Sequence, residues 1–137
     1  MTVSIPGSFA LNVKGYDLPK LYKYLDYAYV MSYDYHAVWD KDPAGLNAPL
    51  YSRPGETESE KLENVNHTLV SLIRRGALPN KTVLGVPLFG HGFSLVNPEE
   101  NGIGSKVKDV SFKVTNWRSQ NEIEFLKHQL ELQKFLR

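Results

Sequence analysis

Cysteine is absent from these 137 residues, which removes disulfide and cysteine-metal readings and any inference about redox compartment. Long apolar runs are absent too, and none reaches the length of a bilayer crossing. The opening ten residues, MTVSIPGSFA, lack the charged, apolar and cleavage regions of a signal peptide. Charge of one sign is barely in excess, with 16 Lys and Arg against 15 Asp and Glu, a net +1. That balance gives no electrostatic basis for nucleic acid or an anionic membrane as partner. Repeats and low-complexity segments are missing as well. What is present is a chain of one-domain length with 42% hydrophobic residues, enough for a globular core. Two sequons, Asn66-His67-Thr68 and Asn80-Lys81-Thr82, would permit glycosylation of a secreted chain.

Punctuation divides the chain into alternating elements. TVSIP is a short β-branched run closed by Pro6 and Gly7, and reads as a strand. YDLPKLYKYL predicts a short helix capped by Asp17, with Pro19 in its first turn and Leu21, Tyr24 and Leu25 on one side. YAYVMS is a nearly continuous apolar stretch, the pattern of a strand buried on both faces. A Gly- and Pro-rich loop of residues 38–56 follows, too long for a plain connection. TESE then offers a capping box, Thr57 with Glu60, ahead of Leu62, Val65, Leu69, Leu72 and Ile73 at helical spacing. Arg74, Arg75 and Gly76 supply basic charge and a cap at the end of that helix. TVLGVPLFG is a third strand-like run.

Buried strands alternating with helices predict a parallel sheet in an α/β fold. The C-terminal ends of its strands then share one side, where a barrel of this class forms its site. Pro6, the cluster MSYDYH at residues 31–36, and FGHGF at residues 89–93 all fall there. From about Ile103 the pattern weakens. SQNE at residues 119–122 is a candidate cap for a final helix whose apolar residues face two ways. Taken alone, Tyr33 reads better as a strand-end tyrosine with a satisfied hydroxyl, and Asp34 reads as an ordinary turn or cap residue. His36 and His91 have no ligand spacing, so no metal is expected.

Three segments together carry more. YLDYAYVMSYDYHAVWD, LNAPLY and GALPNKTVLGVPLFGHGFSL resemble, in order, consecutive signatures of family-18 glycoside hydrolases, the chitinases and chitinase-like lectins. The resemblance covers roughly residues 1–97. It implies an eight-stranded (β/α)8 TIM barrel, of which this chain corresponds to about strands five to seven. Residues 1–105 are then a partial barrel, and residues 106–137 a divergent C-terminal tail with a candidate helix. The implied chemistry is substrate-assisted retaining cleavage of β-1,4-linked N-acetylglucosamine, in which the substrate's acetamido oxygen attacks the anomeric carbon. On the matching positions, the Tyr33 hydroxyl holds the acetamido oxygen and Asp34 hydrogen-bonds the sugar. Met31 lines the pocket floor, Trp39 stacks on a downstream ring, and Phe89 and His91 join the substrate-binding wall. The implied partner is chitin or an N-acetylglucosamine oligosaccharide, with no cofactor, and the implied location is extracellular.

The chain departs from the family in ways that leave its enzymatic status open. The glutamate ending D-x-x-D-x-D-x-E, which supplies the general acid, has no match here, nor has the eighth-strand tryptophan. Phe89 and His91 stand where members usually carry tyrosine and arginine in G-x-P-x-Y-G-R, and Ala37 replaces a glycine. Three readings follow: part of a chitinase, a non-catalytic chitin-binding lectin, or a remnant without function. The 137 residues alone are expected not to hydrolyse chitin, since general acid catalysis contributes roughly 10²–10⁴-fold.

Overall fold

The computed structural model describes residues 1–37 and 43–111. Its centre is a parallel sheet of three strands in the order β1-β2-β3, with β1 Thr2–Pro6, β2 Tyr27–Met31 and β3 Thr82–Leu84. In register, Val3 lies beside Ala28 and Ile5 beside Val30, which in turn neighbours Leu84. These side chains share one face of the pleat, because alternate residues of a strand point the same way. That face is the core: Ile5, Ala28 and Val30 are fully buried with Leu18, Val65 and Leu72 from the helices.

The helices are shorter than the apolar spacing predicts. After α1, Phe9–Gly15, comes α2, a single turn over Leu18–Leu21. The Asp17 side chain caps α2 by accepting from the Lys20 N–H at 3.3 Å, as its position foretold. Tyr24 falls beyond that turn and is 73% exposed, so it does not share the buried side with Leu25. Lys81 takes over the end of α2, donating to the carbonyls of Tyr22 and Leu25. Its charge meets carbonyls that a helix end leaves unpaired.

The capping box forms, but it opens a different element. The Thr57 N–H donates to Glu60 at 2.7 Å and the Glu60 N–H to the Thr57 hydroxyl at 3.3 Å. The result is one 3-10 turn, Glu60–Leu62. The chain then breaks at Glu63, and α3 begins anew at Val65–Arg74 with Asn64 as its cap. Asn64 accepts from the His67 N–H at 2.8 Å and donates to the Lys61 carbonyl at 2.9 Å, so one amide fixes the angle between turn and helix. At the far end Gly76 takes φ 100, the left-handed geometry that closes a helix and favours glycine.

The second strand corrects the expectation of two buried faces. Ala28 and Val30 are buried, whereas Tyr27 and Tyr29 are 48% and 43% exposed. The helices cover one side of the sheet, and among the described residues nothing covers the other to that depth. A further pair, β4 Gly92–Leu95 and β5 Val107–Ser111, forms a two-stranded antiparallel sheet that sequence patterning did not reveal. It joins residues on both sides of position 105. The candidate helix after Ser119 lies outside the described residues. Among those residues, no helix is long and apolar enough to cross a membrane.

Candidate functional site

The parallel sheet gathers three chain segments at the C-terminal ends of its strands. Close approach there depends on glycine. A Cβ on Gly85 would stand 2.7 Å from the Val30 carbonyl oxygen and 3.2 Å from the Tyr33 ring. Beyond Met31 the chain leaves β2 through two successive i→i+2 hydrogen bonds, Ser32 N–H to Val30 and Tyr33 N–H to Met31, both 2.9 Å. Tight turns of this kind are common at strand ends. They present Met31, Tyr33 and Asp34 to an open cavity of about 560 Å³, with Gly7 and Ser8 on one wall and Glu60 and Glu63 on another.

A second layer backs that cavity. The Phe89 ring packs edge-on against Tyr33, with centroids 5.6 Å apart, and His91 packs edge-on against Phe89 at 5.7 Å. His91 Nε2 lies 2.8 Å from Asp34 Oδ1, an ion pair whenever the imidazole is protonated. Asn47 ties the segments together. Its Oδ1 accepts from the Asp34 N–H at 2.9 Å and its Nδ2 donates to the Phe89 carbonyl at 3.0 Å. Asp34 itself sits at φ 63, the one non-glycine in the left-handed region among the described residues.

The wall rests on a buried relay. The Thr68 hydroxyl donates to the Gly7 carbonyl at 2.7 Å, so its single proton is committed and the Tyr35 hydroxyl, 2.6 Å away, donates to it. Burial pushes the Tyr35 phenol up to about 12. Glu60 moves the other way: hydrogen bonds from the Thr57 hydroxyl and then its N–H hold the carboxyl below its ordinary value. His67, on α3, is lowered by burial and then by Arg74.

Of the residues singled out from the sequence, Met31, Tyr33 and Asp34 come together on the cavity. Phe89 and His91 touch Tyr33 and Asp34 from behind, and neither is among the residues that line the cavity. Trp39 lies outside the described residues. Sequence reasoning named His36 only in setting metal ligation aside and assigned Asn47 and Glu63 no role, although His36, Glu60 and Glu63 all line the cavity. LNAPLY contains Asn47, but nothing in that string shows that its amide reaches two other segments. Glu60 was legible only as a cap.

The comparisons with known proteins agree on a family. The family model described as "Glycosyl hydrolases family 18" matches residues 1–135. Chitotriosidase-1 of Mus musculus is 32% identical over 138 residues, covering 90% of this chain and 30% of the relative. A group IV chitinase of Ostrinia furnacalis, solved in complex with allosamidin, superposes with a TM-score of 0.75 at 32% identity, over 93% of this chain and 36% of that one. Human YKL-39, described as a pseudo-chitinase with retained chitooligosaccharide binding properties, gives a TM-score of 0.75 at 28% identity. That match covers 79% of this chain and 30% of the other. The chain spans less than a third of the length of the curated relatives it matches.

Proposed function

Because the chain belongs to the glycosyl hydrolases of family 18, we propose that its cavity is the acetamide-holding wall of a chitin cleft and binds N-acetylglucosamine oligosaccharides. The observation that carries this is the convergence of Met31, Tyr33 and Asp34 on one open cavity at the C-terminal end of a parallel sheet. Its volume of about 560 Å³ falls within the roughly 300–1,000 Å³ of ligand sites. The Tyr33 hydroxyl donates to the acetamido oxygen, Asp34 accepts from a sugar N–H or hydroxyl, and Met31 covers apolar C–H groups. Phe89 and His91 serve the sugar indirectly by fixing the Tyr33 ring and the Asp34 carboxylate. Trp39 stacks on a neighbouring ring. The sheet corresponds to strands five to seven of a (β/α)8 barrel, residues 1–105 form the barrel portion, and the setting is extracellular.

For the 137 residues themselves we propose binding without cleavage. Substrate-assisted cleavage needs an acid that arrives protonated and gives its proton to the leaving oxygen. Glu60 lines the cavity but is held ionised by Thr57, the wrong state for that task. The 137 residues contain no D-x-x-D-x-D-x-E segment. The pseudo-chitinase description of human YKL-39, a structural relative, supports this reading in preference to a remnant without affinity.

Calorimetric titration with tetra-N-acetylchitotetraose, against the fully deacetylated tetramer, tests the reading. Binding is expected for the acetylated sugar only. Tyr33→Phe is expected to weaken it about five- to tenfold, the loss of one hydrogen bond of roughly 1–1.5 kcal/mol. Equal affinity for both tetramers would remove the acetamide from the explanation, and release of shorter sugars would overturn the claim of binding without cleavage.

A further inference from the structure

A residue held in the left-handed region persists only where its surroundings fix it. Aspartate tolerates φ 63 better than most side chains, but its flanking tyrosines do not impose it. What fixes Asp34 comes from thirteen positions further along. Asn47 accepts its N–H at 2.9 Å, holds the Phe89 carbonyl at 3.0 Å, and with its own backbone carbonyl accepts the Tyr35 N–H at 3.1 Å. The orientation of the amide is unambiguous, since the Asp34 N–H can only donate and the Phe89 carbonyl can only accept. One side chain therefore locks the turn after β2 to the segment after β3. It does so at the two points from which Asp34 and His91 meet at 2.8 Å.

We infer that Asn47 is the positioning residue of the sugar site: its two-ended amide sets the direction of the Asp34 carboxylate and holds the Phe89–His91 wall against it. The ligand in this inference rests on the sugar-binding reading above; the lock itself does not. Alanine at position 47 leaves the Asp34 N–H and the Phe89 carbonyl without these partners. Aspartate would set a carboxylate oxygen against the Phe89 carbonyl. Neither reproduces an acceptor and a donor at this reach.

The test is a double-mutant cycle on the full chain, with two readouts. Tetra-N-acetylchitotetraose is titrated into wild type, Asn47→Ala, Asp34→Ala and the double variant, and the His91 ring signals are followed by NMR without sugar. Asn47→Ala is expected to weaken sugar binding at least fivefold in the wild-type background and less than twofold once Asp34 is alanine. It should also move the His91 ring signals toward those of Asp34→Ala, although the amide bonds to backbone groups and not to the imidazole. A merely structural Asn47 would lower the melting temperature while leaving the ring signals and, well below melting, the affinity at wild-type values; that result overturns the inference. An equal loss in both backgrounds overturns it too, because Asn47 would then act independently of Asp34. If wild type binds no sugar, the sugar-binding reading fails and the His91 signals alone decide the role of Asn47. Should Asn47→Ala not fold, Asn47→Ser takes its place, with the same two outcomes.

Discussion

Tyr35 shows how much one buried hydroxyl does for this wall. It is 5% exposed and donates into Thr68, whose own proton goes to Gly7, so three segments are joined by two bonds. Removing the phenol oxygen strands a buried acceptor, and Tyr35→Phe is expected to cost about 1–2 kcal/mol in urea unfolding at neutral pH. The raised phenol also sets a direction with pH. A group whose folded value exceeds its unfolded one stabilises fully below the unfolded value and loses that contribution as pH rises through the folded value. For Tyr35 the window runs from its ordinary 10.0 to about 12, and the loss across it is at most about 3 kcal/mol. Urea midpoints of wild type should therefore fall between those limits, and more shallowly in Tyr35→Phe. Parallel curves would mean that Tyr35 is not the residue responsible. His67 acts with the opposite sign. Its folded value is depressed, so its contribution is complete above the ordinary imidazole range and fades on acidification.

Among the elements, the two caps ahead of α3 divide sequence signal from structural consequence. Thr57 and Glu60 fit a capping box, and the bonds it promises do form. They are exposed and close only a 3-10 turn. Asn64 has the less conspicuous signature but caps the ten-residue helix that covers the sheet. Asn64→Ala is accordingly expected to lower stability by about 1 kcal/mol or somewhat more. Thr57→Ala should change it by no more than about 0.5 kcal/mol, as befits exposed bonds on a short turn. The reverse order in urea midpoints would restore Thr57 as the true start of the helix. The comparison also explains what could be read in advance. Strand identity and order were legible because β-branched and aromatic runs closed by Gly and Pro are local signals. The short β4 and β5 were not, since GFSL and VKDVS carry little apolar periodicity and acquire meaning only by pairing across a loop. The site was half legible. Met31, Tyr33 and Asp34 announced themselves as one cluster, while Asn47 joins them only through contacts with segments thirteen and forty-two residues away.

At the scale of the whole molecule, the sheet departs from the usual parallel pattern on its second face. Parallel sheets are generally covered on both sides, and a closed barrel would turn this face inward. Here Tyr27 and Tyr29 remain nearly half exposed, opposite a face on which Ile5, Ala28 and Val30 are sealed. A run such as YAYVMS reads as nearly continuously apolar because tyrosine suits either environment: its ring can pack while its hydroxyl stays wet. The energetics should reveal which applies. If the outer face is solvated, Tyr27→Thr and Tyr29→Thr each alter stability by less than about 0.5 kcal/mol, the usual range for surface changes. Ile5→Ala on the sealed face costs about 2–5 kcal/mol. Urea unfolding of the three variants at two protein concentrations makes the comparison. A large, concentration-dependent penalty for the tyrosine variants would instead mean that a second copy covers the face. A large but concentration-independent one would mean that the outer face is not solvated in the single chain.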